Sequence, residues 1–83
     1  EGFVNYGLSL VGISVAVIMI ENEQEQIIKM SFRSKGAFSV NDFARTYFNG
    51  GGHHNAAGGA SKLSLSETES KFINSISKVK NLL

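Results

Sequence analysis

The 83-residue sequence contains no cysteine, no proline and no tryptophan. Without cysteine there is no disulfide, no thiol nucleophile and no cysteine-based zinc site, a composition that fits a reducing interior. Aspartate is nearly missing, since Asp42 is the only one. Charge is sparse too: 18% of residues are charged and the formal net charge is +1, which excludes an arm that binds nucleic acid by bulk attraction alone. The longest apolar run, residues 15–20 (VAVIMI), is far short of the ~20 residues a membrane-spanning helix needs. No basic leader with a cleavage site precedes it, so we expect no signal peptide, no membrane partner and a cytoplasmic location. A mean hydropathy balanced near zero excludes a chain that is mostly membrane-embedded or mostly disordered.

What is present is enough for one small domain over residues 1–83, and not for two, because each domain needs its own buried core. A chain of this size buries only roughly 60–65% of its unfolded surface, so its stability margin is thin. The first residue is Glu1 and not methionine, and we expect the chain to be a piece of a longer protein.

Residues 13–20 (ISVAVIMI) read as a strand, short, β-branched and apolar on both faces apart from Ser14, the pattern of a central strand covered on both sides. Residues 21–26 (ENEQEQ) form a polar turn. Residues 27–33 then nearly alternate, with Ile28, Met30 and Phe32 on one face and Ile27, Lys29, Ser31 and Arg33 on the other. The link is too short for a crossover helix, so the two strands pair as an antiparallel hairpin.

Ser34-Lys35-Gly36 breaks that strand. Ser39 is a helix N-cap with Asp42 in the acidic slot of a capping box, and Val40, Phe43, Ala44, Tyr47 and Phe48 define a short amphipathic helix over residues 40–48. Asn49 and the glycines after it stop that helix, being residues that tolerate the left-handed conformation. Residues 60–65 (ASKLSL) alternate like a strand. Ser66 with Glu69 gives a second capping-box signature, and Phe72, Ile73, Ile76, Val79 and Leu83 give one apolar helix face. Residues 2–12 fit either a helix end or the start of a strand. The expected fold is therefore α+β (α/β-like), a small mixed sheet with helices packed on it, in the order β-β-α-glycine loop-β-α.

Residues 48–59 (FNGGGHHNAAGG) are the one feature a merely structural chain would not need. Three consecutive glycines cost conformational entropy, but they let a backbone come close to a bulky anion and turn its N–H donors toward it. His53, directly after Gly50, Gly51 and Gly52, adds a side chain that hydrogen-bonds phosphate or, protonated, pairs with it. The segment lacks the Lys-Ser/Thr ending of a P-loop and does not follow a strand as the dinucleotide fingerprint does. A flexible connection is the other reading. His53 and His54 make a poor metal site, since adjacent side chains diverge and no Asp, Glu or Cys is near in sequence. Arg33 and Ser34, at a strand end, add a planar guanidinium fork and a hydroxyl, both suited to phosphate oxygens.

Together these segments resemble a known family. GGGHHNAAG (residues 50–58) resembles the GGGH-x-x-AAG signature of the DHH-associated domain, the C-terminal half of DHH-family phosphoesterases. MSFRSKG (residues 30–36), followed by VNDFARTYF, is similar to the matching segment of the nanoRNase branch, the oligoribonucleases and pAp phosphatases, and so is the opening EGFVNYGLSLVGISV. The resemblance covers nearly the whole chain. It implies that Arg33 and Ser34 hold substrate phosphate and that Gly50, Gly51, Gly52 and His53 close around a terminal nucleotide. His54 and Asn55 fall at variable positions of the signature, and His54 reads as a solvent-exposed side chain. Asn49 stands where many relatives carry glycine.

The resemblance also implies a partner, the DHH domain of the same chain, whose Asp and His residues hold two manganese ions. One aspartate and one His pair cannot supply such a centre, so this chain is expected to bind and not to hydrolyse. The implied substrates are short oligoribonucleotides, pAp or dinucleotides, with nucleic acid bound only as short single strands. The rival reading is a non-catalytic RNA-binding module, as in alanyl-tRNA synthetases.

Overall fold

The computed structural model describes residues 2–10 and 12–80, with only the backbone of Leu10 and Ile13. Seven elements follow one another: β1 (Phe3–Leu10), β2 (Ile13–Asn22), β3 (Ile27–Lys35), α1 (Val40–Tyr47), β4 (Gly51–His53), β5 (Ala56–Ser61) and α2 (Leu65–Val79). The strands form one sheet in the order β1-β2-β3-β5-β4, which puts β3 at its centre. The expected α+β class is found. Each pairing is antiparallel, where a mixed sheet was expected, because β1 and β4 both join as hairpin partners of their neighbours in sequence.

Strict alternation along β3 organises the core. Ile28, Met30, Phe32 and Ser34 are buried, whereas Lys29, Ser31, Arg33 and Lys35 are exposed. Phe32 is fully buried, and its ring lies 5.8, 5.6 and 6.3 Å from those of Phe43, Phe48 and Phe72. Phe43 belongs to α1, Phe48 caps it and Phe72 belongs to α2, so both helices pack on the same face of the sheet. Val15, Val17 and Met19 of β2 complete that layer, with Tyr6 of β1 edge-on to Phe72 at 5.4 Å.

One open reading is settled here and three expectations are corrected. The ambiguous residues 2–12 contain β1, whose Val4, Tyr6 and Leu8 pack against the core while Asn5, Gly7 and Ser9 face outward. β2 is covered on one side and not on both: Ile18 and Ile20 keep 38% and 41% of their surface, because both helices went to the other face. The glycine segment is not a loop but a hairpin, β4–β5, so the strand expected over residues 60–65 starts earlier, at Ala56. The second helix is capped by Ser64 with Glu67 and not by Ser66 with Glu69. Both pairs have capping-box spacing, but the Ser64 choice buries Thr68, whose hydroxyl donates to Ser61 Oγ at 2.8 Å.

The first helix follows its expected cap, with Ser39 Oγ accepting from the Asp42 amide at 3.1 Å. Its end also follows expectation: Asn49 takes φ 51°, the left-handed region that asparagine tolerates. On the apolar face expected for the second helix, Phe72 and Ile76 are buried, Val79 half-buried and Ile73 38% exposed. Leu83 lies outside the described residues.

Candidate functional site

Two of the candidate residues, Arg33 and His53, stand on the face of the sheet away from the helices. Paired residues of neighbouring strands share a face, so the registers can be followed straight across the sheet. One row runs Gly7, Ala16, Arg33, Ala56, His53. The row on one side is Ser9, Ser14, Lys35, and the row on the other is Asn5, Ile18, Ser31, Gly58, Gly51. Arg33 and His53, 20 residues apart in sequence, thus stand on one face with only Ala56 between them. Two inter-strand spacings of ~4.8 Å separate their Cα atoms by ~10 Å.

The side chains around Arg33 are small, so it stands between two shallow grooves. One, of about 380 Å³, is floored by Gly7, Ser14 and Ala16 and edged by Lys35. The other, of about 300 Å³, is floored by Ser31, Gly51, Ala56 and Gly58. No carboxylate lines either groove, while Arg33 and Lys35 contribute positive charge. Low side chains beneath a fixed cation give an anion room to reach it. Arg33 donates one hydrogen bond, Nη1 to the Phe32 carbonyl at 2.9 Å, and among the described residues no carboxylate pairs with it. A guanidinium carries five N–H donors, so the fork keeps donors for a ligand.

Ser34 is placed otherwise. Alternation turns it to the helix side, where it is 9% exposed. Its hydroxyl donates to the Phe38 carbonyl at 2.9 Å and accepts from Asn55 Nδ2 at 2.9 Å. Arg33 and Ser34, expected to act together on phosphate, therefore point to opposite faces of β3.

The glycines serve packing first. The Gly50 amide donates to the Ala44 carbonyl at 3.1 Å, and the Gly52 amide to Asn41 Oδ1 at 2.9 Å, so these two donors are engaged within the protein. A Cβ on Gly50 would collide with the Gly58 carbonyl oxygen, and one on Gly52 would lie 2.7 Å from that of Ala56. Glycine is what lets β4 lie this close to β5. The surface left for a ligand is the open side of the hairpin, where Gly51, Ala56, Gly58 and the exposed His53 stand.

Three residues that the sequence reading did not take as functional make contacts at this hairpin: Asn41, His54 and Asn55. His54 is exposed, as expected, with its Nε2 3.3 Å from the Gly36 carbonyl. The signal for Ser34 was available, since the alternation read over residues 27–33 turns it inward one position later. Nothing in the local sequence marks Asn55, whose partners are 19 and 21 residues away.

Among the described residues no three His, Asp or Glu side chains gather closely enough to hold a metal ion. The resemblance places its two manganese ions in the DHH domain and not on these residues. None of the described helices is long and apolar enough to cross a membrane.

The family model of the DHHA1 domain matches residues 1–82. This chain belongs to the DHHA1 domain family. DHHA1 is the accessory domain of DHH phosphoesterases, normally fused to a DHH domain in the same chain. Its fold is similar to a crystal structure of an exopolyphosphatase-related protein from Bacteroides fragilis, with TM-score 0.76 and 37% identity. That match covers 82% of this DHHA1 chain and 19% of the other, so the chain spans about a fifth of the relative's length. No curated protein matches.

Proposed function

We propose that this DHHA1 domain holds the phosphate of a short oligoribonucleotide, a dinucleotide or pAp for a DHH domain of the same chain, as in the nanoRNase branch. The observation that carries the reading is the row Arg33–Ala56–His53 on the open face of the sheet. Arg33 offers a planar fork to two phosphate oxygens, and His53 hydrogen-bonds a second oxygen or a neighbouring group of the same ligand. The flanking glycines, alanines and serines keep the floor low enough for a sugar or base to lie beside the phosphate. This is orienting and charge-offsetting work. Hydrolysis belongs to the partner domain, and none of its steps is assigned to the residues of this chain.

The scale of the site fits short ligands. A long duplex or strand gains affinity from many phosphate contacts, and among the described residues the rows at this end carry few such donors, Arg33, Lys35 and His53. Kinetics of the complete chain on a dinucleotide test the proposal. Arg33→Ala should raise KM by about 10- to 100-fold, the loss of a charge-assisted hydrogen bond. An unchanged KM overturns the site. Tighter binding of a structured RNA than of a dinucleotide would turn the reading toward an RNA-binding module.

A further inference from the structure

β4 is three residues long and lies at the edge of the sheet, so its own ladder is a weak anchor for His53. Other bonds fix it at both ends. Just before its start the Gly50 amide donates to the Ala44 carbonyl, and at its middle residue Asn41 of α1 takes the Gly52 amide. At the hairpin turn, the Val40 amide donates to the His54 carbonyl at 2.8 Å, and the Ser34 amide donates to the Asn55 carbonyl at 3.0 Å. The Asn55 side chain then reaches back to Ser34 Oγ at 2.9 Å and to the Gly36 carbonyl at 3.3 Å.

The direction of these bonds matters. A serine hydroxyl has one proton, and that of Ser34 goes to the Phe38 carbonyl. The oxygen is then free only to accept, and Asn55 fills that role. Asn55, Ser34 and Phe38 form a donor chain in one direction, running from the exposed Asn55 through the buried Ser34 to the half-buried Phe38. The Ser34 proton is therefore engaged within the protein, although Ser34 and Asn55 line the same groove as Arg33.

We infer that Ser34 and Asn55 form a latch that sets the β4–β5 hairpin against β3, and that they are positioning residues for His53 and not phosphate ligands. The inference rests on the open row being the phosphate site. It deepens that reading, because the latch joins the turn after His53 to the residue after Arg33 and so fixes the separation of the two ligand-facing side chains.

A double-mutant cycle in the complete chain tests it, with Ser34→Ala, Asn55→Ala, the double variant and Arg33→Ala as reference. Two measurements are needed: KM and kcat on a dinucleotide, and amide hydrogen exchange over residues 51–56 without ligand. A latch predicts that each single variant raises KM about fivefold, the loss of one hydrogen bond, with kcat little changed. The double variant should do no more than either single one, and exchange should quicken in all three. Additive effects on KM, with Ser34→Ala far the larger and exchange unchanged, would make Ser34 a direct ligand and overturn the latch. Quickened exchange with an unchanged KM in Arg33→Ala would leave the latch standing and remove the phosphate site it serves. Asn55 is exposed, so Asn55→Ala keeps the test decisive even if emptying the buried Ser34 position unfolds the chain.

Discussion

The two faces of the sheet are made from alternate residues of the same strands, yet they are built by opposite rules. The helix side takes Val15, Val17, Met19, Ile28, Met30 and Phe32, large side chains closed over by Phe43, Phe48 and Phe72. The open side takes Gly7, Ala16, Ser31, Ala56 and Gly58 around Arg33, side chains too short to cover their own backbone. Packing fills one face and vacates the other. On the filled face a residue is judged by volume; on the vacated face it is judged by what it lets approach. Ser34 and Arg33, adjacent in sequence, fall on different sides of that division, one buried and one exposed.

The largest effect that sharpens the contrast comes from the filled face. Phe32→Ala removes the ring at the centre of the aromatic cluster and should cost about 3–5 kcal/mol. A domain of this size has only roughly 4–12 kcal/mol in total, so much of the cooperative transition in chemical denaturation should be lost. A midpoint near that of the parent would mean that the core is not organised as described. Next comes the hinge between the faces. Gly50→Ala sets a methyl against the Gly58 carbonyl and should destabilise by about 1–3 kcal/mol in the same measurement, with nucleotide affinity falling alongside because the hairpin must move. The smallest effect belongs to the vacated face. Arg33→Ala should leave stability within about 0.5 kcal/mol while affinity for phosphate falls, and a large loss of stability would contradict a free guanidinium.

The same division explains what was legible in the sequence. The filled face writes itself as periodicity: the alternation through Phe32, the 3.6-residue repeat from Val40 to Phe48 and the Ser39 cap all read correctly, because burial needs large apolar groups at fixed spacing. β4 was hidden because two of its three residues are glycines, which show no pattern of faces. β1 was hidden because Phe3, 59% exposed, breaks an otherwise regular alternation of Val4, Tyr6 and Leu8. β2 looked covered on both sides because Ile18 and Ile20 are apolar, yet the two described helices cover one side only. At the site, the residue types were legible and the geometry was not. Arg33 and His53 were named from their chemistry, but their meeting in one row depends on three strand registers. The Ser34–Asn55 bond joins residues that no local rule connects.

The central claim is that the small-residue face, and not the helix face or the glycine amides, receives the ligand. Titrating the isotopically labelled 83-residue domain with pAp and following its backbone amides by NMR tests that claim most directly. The account predicts saturable shifts concentrated at Ala16, Arg33, Lys35, His53, Ala56 and Gly58, with the amides of α2 unmoved. Shifts centred on α2, or none at all at pAp concentrations that saturate the complete chain, would contradict it.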